Sequence, residues 1–169
     1  MYNKQVVSDY LYASGWTEDR HINSLGIPKM YSRFFERYDG DDELSLNEFM
    51  VFKPFPKLFE FWNSFGGLEI KFRYGAERRS AAVIINEIAV LKCKDYSVVQ
   101  TSLHFGRPLF PVAVVQPDIC FICIDIHGAF YAINNIGGVY RFLGDFFEVL
   151  DIIMNNSTVI EWEFFSKYE

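Results

Sequence analysis

With 169 residues, half of them hydrophobic and 18% aromatic, the chain can bury one sizeable core; it is too short for two comfortable domains, and disorder does not fit. Its net charge of −6 argues against nucleic acid or an anionic membrane as partner and suits a basic protein instead. Three cysteines argue against a disulfide scaffold and fit a reducing cytosol, and the sequence carries neither a membrane-length apolar run nor an N-terminal secretion signal. Residues 4–14 predict a short helix whose apolar face is Val6, Val7, Tyr10 and Leu11, ended by Gly15. A second helix is expected over Ile27–Tyr38, where Pro28 suits a first turn and Met30, Tyr31, Phe34, Phe35 and Tyr38 form a stripe. The acidic turn DGDDE, 39–43, follows.

Residues 58–73 read LFEFWNSFGGLEIKFR. Pro54 and Pro56 start a helix with apolar residues at three- and four-residue spacing through Phe65. Leu68, Ile70 and Phe72 then alternate with Glu69, Lys71 and Arg73, as in a strand with one buried face. Gly66-Gly67 between them lacks the flanking residues of a phosphate loop or dinucleotide fingerprint, so at least one of the two glycines is expected to turn the chain with positive φ. Ala81–Leu91 reads as a strand and Tyr96–Phe105 as a helix.

The second half is more plainly β. Leu109–Val115 forms one strand, and the unbroken apolar run ICFICI, 119–124, suits a central strand covered on both faces. Asp125-Ile-His-Gly128 turns the chain so that AFYAI returns antiparallel. Gly137-Gly138 precedes a strand over Val139–Leu143. Gly144-Asp145 then opens a last helix, capped by Asp145, with Phe146, Phe147, Val149, Leu150 and Ile153 inward and Asn155-Asn156 at its end. In the tail, Ile160, Trp162 and Phe164 alternate with Glu161 and Glu163. The fold class is α+β: one domain over 1–169, helices packed on a mostly antiparallel sheet.

Chemical motifs are sparse. Cys120-Phe-Ile-Cys123 has C-x-x-C spacing, but residues three apart on a strand point to opposite faces and cannot share a metal. His127 sits in a turn, His21 and His104 have no spaced partner, and no serine stands in a G-x-S-x-G elbow. Glu161 and Glu163 belong to a polar face, and Arg78-Arg79 is too small for a nucleic-acid footprint. No metal, cofactor or catalytic residue is expected.

Gly15-Trp16 with Arg20, then Phe65-Gly66-Gly67-Leu68, then Leu109-Phe110-Pro111-Val112, then Asp125-x-x-Gly128-x-x-Tyr131, and finally Leu143-Gly144-Asp145 occur in that order. This resembles the SUKH superfamily, specifically the bacterial immunity proteins of its third subgroup, over about residues 10–155; 156–169 then form a C-terminal extension. Ala113 departs from the pattern, standing where the family usually has glycine, and Asn155-Asn156 replaces the usual small-residue ending. The resemblance implies an α+β fold without catalytic residues and a cytoplasmic protein that binds and neutralises a cognate toxin domain. A general protein-interaction or regulatory scaffold is the alternative it implies. Trp16 is expected to be buried and Arg20 to pair with a carboxylate or a helix end. If the toxin is basic, the acidic stretch Asp39, Asp41, Asp42 and Glu43, continued by Glu48, is the candidate contact, with Phe49 and Phe52 as apolar anchors.

Overall fold

The structure, a computed structural model, describes residues 4–22, 53–74, 77–86, 96–117, 120–134 and 138–155 (of 96 and 97 the backbone only). They form α1 (Lys4–Ala13), α2 (Pro56–Phe65), β1 (Leu68–Tyr74), β2 (Arg79–Ile85), α3 (Tyr96–Phe105), β3 (Phe110–Gln116), β4 (Cys120–Ile124), β5 (Phe130–Asn134), β6 (Val139–Arg141) and α4 (Phe146–Asn155). The expected helix over 27–38, the acidic stretch 39–48, residues 87–91, Cys93 and the tail from 157 lie outside the described residues.

The six strands form one antiparallel sheet in the order β1-β2-β3-β4-β5-β6, with helices packed on it, so the class is α+β. Each strand pairs with its sequence neighbour. Alternation fixes the register of the first pair: Leu68, Ile70 and Phe72 are buried while Glu69, Lys71 and Arg73 are exposed, and Leu68 to Tyr74 run opposite Ile85 to Arg79. A slip by one residue would turn that whole apolar set to solvent.

The larger core lies between one sheet face and α1, α2 and α4. Val7 and Leu11, then Leu58, Phe61, Trp62 and Phe65, then Phe146, Val149, Leu150 and Met154 meet Ile70, Val83, Val112, Ile122 and Phe130. Each such side chain contributes about 1.5–3 kcal/mol when fully buried. On the opposite face Val98 and Phe105 of α3 pack with Leu109, Val114, Phe121, Cys123, Tyr131 and Ile133. Strand β4 is therefore covered on both sides, as its unbroken apolar run requires. Its two cysteines part as alternation demands: Cys120 packs against the larger core and Cys123 belongs to the smaller one.

Between Pro111 and Ala113 the β3–β4 register shifts, the mark of a bulge, and Pro111 pairs with Cys123 while Ala113 pairs with Ile122. Both Val112 and Ala113 are fully buried in the larger core. Ala113 is not among the positive-φ residues, so the bulge accepts alanine without backbone strain. Strand β6 is shorter than the expected Val139–Leu143. After Arg141 the backbone N–H of Phe142 still reaches the Phe130 carbonyl at 2.9 Å, but Leu143 is exposed as the chain departs toward α4.

Candidate functional site

Two groups of polar and aromatic residues hold most of the sequence motifs, one where α1 ends against α2 and one at the β4–β5 hairpin.

The first forms where α1 stops. Gly15 has φ 89°, and the Gly15 and Trp16 N–H groups donate to the Tyr12 and Leu11 carbonyls at 3.0 Å, a Schellman ending. That turn delivers Trp16 into the core, 9% exposed, stacked on Phe65 at 6.2 Å and edge-on to Phe147 at 5.6 Å. The Trp16 indole N–H is buried with no hydrogen-bond partner among the described residues. Four residues on, an Arg20 guanidinium N–H donates to the Gly66 carbonyl at 2.7 Å, so among the described residues the pairing is with a helix end.

The two glycines divide the work at the end of α2. Gly67 takes the left-handed backbone, φ 79°, and its N–H donates to the Ile85 carbonyl, starting the sheet at once. Gly66 has φ −56° and is needed for room: a Cβ there would sit 2.6 Å from both Ile22 Cδ1 and the Trp62 carbonyl oxygen. Leu68 follows, 3% exposed. At the start of α4, Asp145 accepts the Glu148 N–H at 3.1 Å, and the Glu148 carboxylate lies over Gly144 where a Cβ would clash.

The second group is the β4–β5 hairpin. Asp125 is 1% exposed. Its Oδ1 accepts the His127 and Ala129 N–H groups, each at 2.9 Å, and its Oδ2 accepts the Tyr131 hydroxyl at 3.1 Å and an Arg107 N–H at 3.3 Å. Gly128, φ 83°, closes the turn, and a Cβ there would meet Lys57, whose ammonium donates to the His127 carbonyl at 2.8 Å. Arg107 is placed by a second Schellman ending: Gly106 at φ 61° and the Arg107 N–H bonded to the Ser102 carbonyl close α3. The guanidinium then lies 5.7 Å from the Phe105 ring centre and 5.6 Å from that of Tyr131. Burial first, and then the Asp125 charge, push the Tyr131 phenol up from its ordinary value, which keeps it a neutral donor.

D-x-x-G-x-x-Y is thus a set of donors and acceptors spent on one another. Pro111, by contrast, is a bulge residue of β3 and joins neither group. No sequence motif marks Arg107, Lys57 or Ser102; the glycine that follows the helix Tyr96–Phe105, Gly106, is the local signal next to Arg107. The candidate contact Asp39, Asp41, Asp42, Glu43 and Glu48 lies outside the described residues.

Burial pushes the Cys120 thiol up to about 12, so it stays protonated and a poor nucleophile. Among the described residues no group of three His, Cys, Asp or Glu side chains could hold a metal ion, and no helix is long and apolar enough to cross a membrane. A family model described as SUKH-3 immunity protein matches residues 3–156. No curated protein and no solved structure matched the chain.

Proposed function

The chain belongs to the SUKH-3 immunity protein family, and from that premise we propose that it binds a cognate bacterial toxin domain and neutralises it by covering its surface in the cytoplasm of the cell it protects. The observation that carries this reading is the family match, which runs through nearly the whole chain and through every motif described above. Supporting it, the buried carboxylate Asp125 is fully engaged with His127, Ala129, Tyr131 and Arg107 and has no lone pair free to act as a base. Neutralisation in this reading is occlusion, with no bond made or broken by the immunity protein.

The partner's chemistry follows from charge. At −6 the chain complements a basic domain, the kind that attacks nucleic acid, and complementary charge raises the association rate. Asp39, Asp41, Asp42, Glu43 and Glu48 are the contact proposed for it. Co-expression with the toxin domain encoded beside this gene is the test, scored by survival and co-purification. Survival with a co-purified complex is expected. Charge reversal of Asp41, Asp42 and Glu43 to Lys is expected to slow association by about tenfold at low salt. Loss of protection when the toxin is present, with the protein folded, overturns the proposal. Co-purification of a partner without protection points instead to an interaction module.

A further inference from the structure

The two edges of the sheet are unequal. β6 is three residues long, one of the ordinary ways to blunt an edge. β1 is seven residues long, and among the described residues no strand pairs with its outer side. An open strand presents a row of N–H and C=O groups to any extended chain that fits it. Which chain fits is written in LEIKFRY.

We infer that β1 pairs with β1 of a second copy of this chain, antiparallel, about a two-fold axis through Ile70, joining two six-stranded sheets into one. In that register Leu68 faces Phe72 of the second copy, Ile70 faces Ile70, and Glu69 faces Lys71, each pair occurring twice by symmetry apart from the central one. Side chains alternate, so the apolar residues extend the buried face across the axis while the charges fall together on the exposed face. Within one chain Lys71 Nζ already lies 3.5 Å from Glu69 Oε1, with the two side chains 76% and 52% exposed. The dimer turns this pair into a square of alternating sign, each charge flanked by two opposite ones. Arg73 is set against Gly67, which carries no side chain to oppose it.

Other registers are worse. An axis through Lys71 brings two ammonium groups face to face, and one through Glu69 does the same with carboxylates. Any register displaced by a single residue sets apolar side chains of one copy against charged ones of the other. The Ile70 axis alone matches apolar with apolar and plus with minus. This inference stands apart from toxin binding, because it uses a different surface and a different observation.

Sedimentation of the full chain, folded by circular dichroism, tests it. The expected species has twice the 19.8 kDa mass of one chain at protein concentrations of tens of micromolar. Glu69→Lys and Lys71→Glu each replace two attractive pairs by two repulsive ones and are expected to weaken the dimer by roughly tenfold or more. The double variant Glu69→Lys with Lys71→Glu restores the alternation and returns the affinity to within about threefold of the parent. A monomer at about 300 µM overturns the inference. So does a dimer indifferent to the single reversals, or one that the double variant fails to restore.

Discussion

The two motif groups hold their parts of the chain by opposite means. At the β4–β5 hairpin one buried carboxylate gathers four donors, and three of them come from the next six residues. At the α1–α2 contact the Arg20 guanidinium reaches the Gly66 carbonyl 46 residues away, the Ile22 N–H donates to the Asn63 carbonyl at 3.1 Å, and an aromatic stack fills the seat between them. The first depends on polar groups that are costly to leave unpaired in the interior, and the second on area and fit. A polar knot fails abruptly when its centre is removed, whereas an apolar seat loses stability in proportion to the atoms taken away.

The sharpest way to break this contrast is Asp125→Ala. It strands two backbone N–H groups, a phenol and a guanidinium, and is expected to cost about 4 kcal/mol or more by urea denaturation. Arg107→Ala should cost only about 1–2 kcal/mol, because Asp125 keeps three donors and the Arg107 side chain is 36% exposed. Equal losses from the two variants would mean that the ion pair, and not the carboxylate with its backbone donors, is the centre of the knot.

Next in size are the paired glycines. Gly67→Val is expected to destabilise by more than about 1 kcal/mol, because a β-branched residue is strained at φ 79°. Gly66→Ala should cost a similar ~1–3 kcal/mol through overpacking against Ile22 and Trp62. The mechanisms separate on adding Ile22→Ala, which should relieve part of the Gly66→Ala loss, the contact with the Trp62 carbonyl remaining, and leave Gly67→Val unchanged in a double-mutant cycle.

The smallest effect is expected at Trp16. Trp16→Phe should cost about 1 kcal/mol, since the ring stack on Phe65 is kept and the buried indole N–H it removes has no partner among the described residues. A loss as large as that of Asp125→Ala would show that the α1–α2 contact is no more forgiving than the hairpin.

Much of this architecture is legible in the sequence, and the part that is not has a physical reason. Periodicity marks β1, because alternation of Leu68, Ile70 and Phe72 with charged residues admits one register, and the unbroken run of β4 marks a strand covered twice. Proline and glycine punctuate α2 reliably, since their backbone preferences are local. The Arg107–Asp125 pair escapes such reading. Its members are 18 residues apart and meet only because the Schellman turn after α3 and the β3–β4 pairing carry them to one place. The separate duties of Gly66 and Gly67 are equally hidden, because clearance from Ile22 is a property of the packed state. At β6 the apolar pattern runs on past the strand: Phe142 keeps one ladder hydrogen bond to Phe130, and only Leu143 turns out to solvent on the way to the Asp145 cap.

The strand order carries a consequence for how the chain comes together. Because spatial and sequence neighbours coincide from β1 through β6, no strand has to be threaded between two already joined. Each can add to a growing margin as it leaves the ribosome, closing only a short loop each time, except for the excursion through α3 between β2 and β3. Insertions in the β3–β4 or β5–β6 connections therefore lengthen a loop without rerouting the chain. Lengthening the α3 segment adds to the largest closure step in the sheet, and there the rate of folding is most exposed to change.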